Sequence, residues 1–190
     1  MSSNRYEFEL ICFKRYFILK KIMEEIKEEN AIMLDSDILT YINFSNCDFT
    51  KYYCGLSINM KQNDYRWSVS PHCSFWSMEA INDFTKYCID TYSNNIEILN
   101  NKYNYHKERS IKGGICDMTL LYLWSKNKKN IFNICVNRNN ETFDHCLSSS
   151  ENYFKNEYQL NRILGIKKVI IIREKNTFIS RFLILLIRFY

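Results

Sequence analysis

The sequence predicts an α/β protein, a mixed sheet flanked by helices. Three observations carry that expectation. Phe8 to Ile26 repeats apolar residues at helical spacing, with Phe13, Phe17, Leu19 or the neighbouring Ile18, Ile22, Met23 and Ile26 separated by Lys and Glu. "AIML" (Ala31 to Leu34), Ile131 to Val136 and "KKVIIIR" (Lys167 to Arg173) are short apolar runs of strand length. Helical patterns lie between these runs, so helices alternate with strands.

In chain order, the first helix is expected to stop near Asn30 and to lead into a buried strand at Ala31 to Leu34. Ile38 to Phe44 reads as its apolar continuation. Cys47 to Asn63, rich in Tyr, Phe and Thr, is expected to supply one or two strands. Tyr65 to Trp76 holds the only proline, Trp67, Trp76 and His72, and reads as a loop. Ser77 is a good N-cap for a helix from Met78 to about Tyr92, with Glu79 in its first turn. A second helix is expected from Asn94 to about His106. After the break at Gly113-Gly114, a third runs from Ile115 to about Ser125.

At 190 residues the chain is long enough for one domain, 1–190, with a real core. Its 46% hydrophobic and 25% charged content excludes a disordered chain. The net charge of +5 suits an anionic ligand, but it is too small and too scattered to argue for nucleic acid. The eight cysteines form no C-x-x-C pair and no zinc spacing, and the N-terminal MSSNRYEFEL is polar rather than a secretory signal. Both point to a cytoplasmic protein with reduced thiols. The 13-residue stretch "FISRFLILLIRFY" at the C-terminus carries two arginines and falls short of the ~20 apolar residues a spanning helix needs. A buried element, a peripheral membrane anchor, a surface covered by a partner chain and a chain cut short all fit it.

Two segments carry chemistry. "AIML" leads directly into Asp35, Ser36 and Asp37, and open α/β sheets bind ligands beyond the carboxyl ends of their strands. In an extended segment residues i and i+2 point the same way, so Asp35 and Asp37 could converge on one hard cation, Mg²⁺ or Mn²⁺, which bridges to diphosphate oxygens. Small Ser36 would let the ligand approach. The same two aspartates could instead simply cap a turn. The second segment is "IKGGICDMTLLYLW" (Ile111 to Trp124). Its glycines permit unusual backbone angles, and a helix N-terminus suits phosphate or sugar oxygens. Asp117, in the first turn, is a candidate general base or hydroxyl acceptor, or merely a favourable first-turn residue. Asp144 and His145 in "ETFDHC" are a weaker acid–base or metal pair, and His72 and His106 are weaker still.

In order, "ELICFKRYFILKKIM", "AIMLDSDIL", "SFWSMEAINDF", "GGICDMTLLYLW" and "FDHC" resemble bacterial glycosyltransferases of the GT-A type, over about Glu9 to Lys175. The resemblance implies a nucleotide-diphospho-sugar transferase fold and transfer of a sugar from a nucleotide-diphosphate donor to a glycan or lipid-linked acceptor, in cell-surface polysaccharide synthesis. It implies Asp35 and Asp37 as metal ligands, with Asp35, Ser36 and Asp37 on the donor and a divalent Mn²⁺ or Mg²⁺ as cofactor. It also implies Gly113, Gly114 and Trp76 on the acceptor side, and Asp117 as the catalytic or sugar-binding carboxylate. Such folds begin with β-α-β units ahead of the D-x-D strand, whereas one helix precedes Asp35 here, and no late His-x-x-G-x-x-K-like segment follows Arg173. The expectation is therefore the central part of such an enzyme, active, or a non-catalytic remnant or subunit. A strand followed by D-x-D also begins phosphatases of the haloacid dehalogenase type, in which the first Asp is the nucleophile; Ile38 and Leu39 depart from their pattern.

Overall fold

The computed structural model describes residue 2, residues 4–36, 38, 43–44, 47–58, 65–135 and 143, and the backbone of 158–163 and 166–171. Helix α1 (Tyr6–Ile26) precedes strand β1 (Asn30–Leu34). Strands β2 (Cys54–Ile58) and β3 (Val69–Ser77) follow, then helices α2 (Met78–Asn94), α3 (Ile96–Glu108) and α4 (Asp117–Ser125). Strand β4 (Ile131–Asn133) completes a four-stranded sheet, and β5 (Tyr158–Ile163) pairs antiparallel with β6 (Ile166–Ile171). The sheet order is β1-β3-β2-β4, with β3 antiparallel to both neighbours and β2 parallel to β4. The fold is thus mixed α/β.

Side-chain alternation along β3 divides the core. Trp76 joins Tyr16, Phe84 and Trp124 on the helix side, with ring centroids 5.2–5.9 Å apart along Tyr16–Trp76, Trp76–Trp124 and Phe84–Trp124. Cys73 and Phe75 face the other way. Cys73 packs with Phe132 and Ile134, and Phe49 stacks on Phe75 at 5.5 Å. In β1, Ala31 and Met33 face the helix side. That parity places Asp35, two residues on, toward α1.

Several expectations need correction. α1 ends at Ile26, not near Asn30, because Lys27 turns left-handed (φ 58°) and Asn30 already belongs to β1. The buried face of α1 is Tyr16 and Met23 with Phe13 and Leu19 beside them, while Ile18, Ile22 and Ile26 are exposed, so α1 is apolar on two faces. Tyr65 to Trp76 is not all loop, since Val69 to Trp76 lie in β3. Pro71 fits there because β1 pairs only as far as Leu34 with Cys73, and because the β2–β3 register shifts between Gly55 and Ser57, so no ladder needs its missing N–H. Ile38, Asn43 and Phe44 form no strand; residues 39–42 between them lie outside the described residues. Strand β5 had no counterpart among the expected elements.

The cap at Ser77 is as expected. Its Oγ accepts the Ala80 N–H at 3.1 Å and its own proton goes to the Tyr53 carbonyl at 2.8 Å. We expect Ser77→Ala to lower stability by about 1 kcal/mol in urea denaturation. An unchanged midpoint would mean the cap is dispensable.

Candidate functional site

α1 brings Arg15 and Tyr16 to the carboxyl end of β1 and the start of α4. The Arg15 Nη1 donates to Asp35 Oδ1 at 2.6 Å, and its Nη2 donates to Asp117 Oδ2. Tyr16 Oη donates to that same Asp117 oxygen at 2.8 Å, and Asp117 Oδ1 accepts the Met118 N–H at 2.9 Å. One guanidinium therefore clasps two carboxylates 82 residues apart, each singled out by a different segment.

The two ends of the clasp differ. Asp117 is buried, at 3% exposure, whereas the Asp35 side chain is 36% exposed. An isolated ionised carboxylate at Asp117 would be costly, and the guanidinium, the phenol and the backbone N–H offset that cost. Burial works against the charge on Arg15, but Tyr16, Asp117 and Asp35 outweigh it and raise its pKa. Burial, then the Asp117 charge, also raises Tyr16 far above the usual phenol range, so its proton stays available to Asp117.

Burial, then the Asp117 charge, pushes three neighbouring thiols up: Cys12 to about 11, Cys88 to about 12, and Cys116 in the same direction. Burial also lifts Cys73 to about 12 and raises Cys54 well above the usual thiol range. A raised folded pKa contributes stability that is complete below the unfolded pKa near 9.0 and lost as pH rises through the folded value. Lys102 acts in the opposite sense, because burial lowers it from 10.5 to about 8 and its cost is relieved on that side. Several thiols and Tyr16 oppose one lysine. Under reducing conditions we expect the urea midpoint to fall as pH rises above about 9; a flat profile there would contradict the burial of these thiols.

Of the predicted site residues, the structure brings together Asp35 and Asp117. Asp37, Asp144 and His145 lie outside the described residues. The backbone turns at Ser36 and the Ile38 N–H returns to the Asp35 carbonyl at 3.0 Å. Gly113 adopts φ 118°, a conformation that favours glycine, but α4 starts only at Asp117, so the glycine pair precedes its N-cap, Cys116, rather than forming it. Trp76 does not line a cleft. It is fully buried among Tyr16, Phe84 and Trp124, and its Nε1 donates to Ser74 Oγ at 2.9 Å.

Arg15 and Tyr16 are the site residues that sequence reasoning missed. Arg15 sits between Cys12 and Leu19 beside the inward face of α1, where a cation needs a buried partner, and that was the available signal.

A divalent cation held by carboxylates and a nucleotide diphosphate needs only one or two protein carboxylates. Asp35, a partly exposed hard-oxygen donor at a strand end, fits that role; among the described residues no group of three His, Cys, Asp or Glu side chains is placed to hold a metal ion by itself. Among those residues, too, no helix is long and apolar enough to cross a membrane. Comparison with family models, curated proteins and solved structures gives no match.

Proposed function

We propose that this chain is a GT-A-type glycosyltransferase domain that moves a sugar from a nucleotide-diphosphate donor to a glycan or lipid-linked acceptor. The observation that carries this reading is the Arg15 clasp: the D-x-D aspartate and the Gly-Gly-segment aspartate belong to one site at the end of β1. Asp35 stands at the carboxyl end of β1, an edge strand of the sheet, partly open to solvent.

On this reading Asp35, with Asp37, holds Mn²⁺ or Mg²⁺ and the donor diphosphate. The ion supplies charge neutralisation on the departing nucleotide diphosphate. Arg15 adds a fixed positive charge beside Asp35, of the sign that complements a diphosphate. Asp117 orients Arg15 from behind and keeps lone-pair capacity on Oδ1, which accepts the Met118 N–H alone among the described contacts. Its burial means that an acceptor hydroxyl reaches it only if a neighbouring group moves. Asp117 is therefore first a positioning residue, and a base only in an opened site.

The burial of Asp117 and its engagement by Arg15, Tyr16 and the Met118 N–H favour a second reading, a non-catalytic remnant or subunit in which the clasp is purely structural. Turnover separates the two. Purified chain incubated with a panel of nucleotide sugars and Mn²⁺ should release free nucleotide diphosphate from at least one donor, dependent on the metal and lost in Asp35→Asn. Silence across the panel, from folded protein, would favour the remnant.

A further inference from the structure

The free edge of β1 and the outer flank of α1 look out from the same side of the molecule. The Asp35 N–H goes to the His72 carbonyl, and the Glu29 carbonyl takes the Met78 N–H, so the odd-numbered residues here bond toward β3. By alternation Asn30, Ile32 and Leu34 turn their N–H and C=O groups away from β3. β1 ends the sheet order, and among the described residues no strand pairs with that outer side. Natural sheet edges are guarded by proline, charge or a bulge. The strand NAIML has no proline and no charge, and its register with β3 is unbroken.

α1 runs beside this edge. Arg15 reaches Asp35 past one end of β1, and Lys27 to Glu29 join Ile26 to Asn30 at the other. From Arg15 to Ile26 the helix rises about 17 Å, and Asn30 to Asp35 spans about the same, so helix and strand run antiparallel with Ile22 about level with Ile32. On one flank of α1, Phe13 packs on Tyr92 of α2 at 5.8 Å. Phe8, Ile11, Ile18, Ile22 and Ile26 lie on the opposite flank, away from α2 and toward the free edge, each 46–66% exposed. With Leu34 they bare on the order of 500 Å² of apolar side chain, a patch of the size that marks an interaction surface.

The charges and the backbone choose the occupant. Along α1 and the turn after it, exposed Lys14 and Lys21 come first, and exposed Glu24, Glu25, Glu28 and Glu29 follow. An antiparallel pair of α1 helices sets the lysines of one copy against the glutamates of the other, whereas a parallel pair sets like against like. Two β1 strands pair antiparallel in one register that uses every outward group, centred on Ile32. Asn30, Ile32 and Leu34 of one copy then exchange N–H···O bonds with Leu34, Ile32 and Asn30 of the other. The same register brings the two α1 flanks together near Ile22. We propose that the chain forms a two-fold dimer through this face, joining two four-stranded sheets into one across the β1 edges. The proposal uses no residue of the Arg15 clasp and stands whether or not the transferase reading holds.

The experiment combines sedimentation and amide hydrogen exchange on the full chain. Sedimentation at micromolar concentrations should show a species of twice the 23.0 kDa chain mass. Ile18→Glu with Ile22→Glu changes only exposed side chains, so the urea midpoint should stay near wild type while the dimer weakens at least a hundredfold. Exchange reads the strand pairing. The Asn30, Ile32 and Leu34 amides should be protected in the wild-type dimer and exchange freely in the substituted monomer. The Ala31, Met33 and Asp35 amides, bonded toward β3, should stay protected in both and so report that the variant is folded. A wild-type monomer at every concentration would overturn the proposal, including one whose Asn30, Ile32 and Leu34 amides are protected by another segment of its own chain. So would a dimer in which those amides exchange freely, or a dimer that the two glutamates leave intact.

Discussion

Arg15→Met should lower stability by roughly 3–5 kcal/mol, because it strips the counter-ion from a carboxylate that stays buried. Asp117 is 3% exposed and would keep only the Tyr16 hydroxyl and the Met118 N–H. The loss comes from that uncompensated charge. The other ion pair, to the partly exposed Asp35, adds about 0–1 kcal/mol. The origin of the effect is itself testable. Adding Asp117→Asn to Arg15→Met removes the orphaned charge, and stability should largely return, because replacing both members of a buried pair is often near neutral. Urea denaturation of the wild type, both single variants and the double variant measures the coupling. Additive losses would show that Arg15 and Asp117 do not depend on one another, and the clasp would have no energetic meaning.

Trp76→Ala is the second large effect, with an expected loss of about 3–5 kcal/mol from the transfer and cavity terms together. Trp76 is fully buried, packs against Tyr16, Phe84 and Trp124, and pairs through its backbone with Ala31 and Cys54 across the sheet. In a chain of this length that corresponds to a fall of roughly 10 °C in Tm. A tryptophan lining a sugar cleft would behave differently, with a modest change in Tm and a large change in ligand binding. A Tm within about 2 °C of wild type would restore Trp76 to the ligand site and contradict the packing described here.

The two outcomes bear on what was legible in the sequence. Local signals transferred well. Ser77 with Glu79 marked the start of α2, and the apolar run before Asp35 marked β1. Local signals misled where tertiary pairing decides. Pro71 and two tryptophans looked like a loop, yet Val69 to Trp76 lie in β3, whose two ends pair with β2 and β1 around Pro71 where β1 ends and β2 bulges. Trp76 was drawn to the site by its chemistry, while strand alternation sends it into the core beside Tyr16. Asp35 and Asp117 were each visible, one from a strand end and one from a helix start. Their connection was not, because it runs through Arg15, 20 residues from one and 102 from the other. A spacing rule reaches along one element; a clasp between three elements exists only once the sheet and helices have packed.

The central claim is that Asp35 marks a cation-dependent nucleotide site. Calorimetric titration of UDP into the full chain, with and without Mn²⁺ and beside Asp35→Asn, tests it most directly. The account predicts binding that requires Mn²⁺ and disappears in Asp35→Asn, while the melting curve of that variant stays close to wild type, since Asp35 is the exposed end of the clasp. UDP binding that ignores both Mn²⁺ and the substitution, or no heat at all from folded wild-type protein, would contradict it.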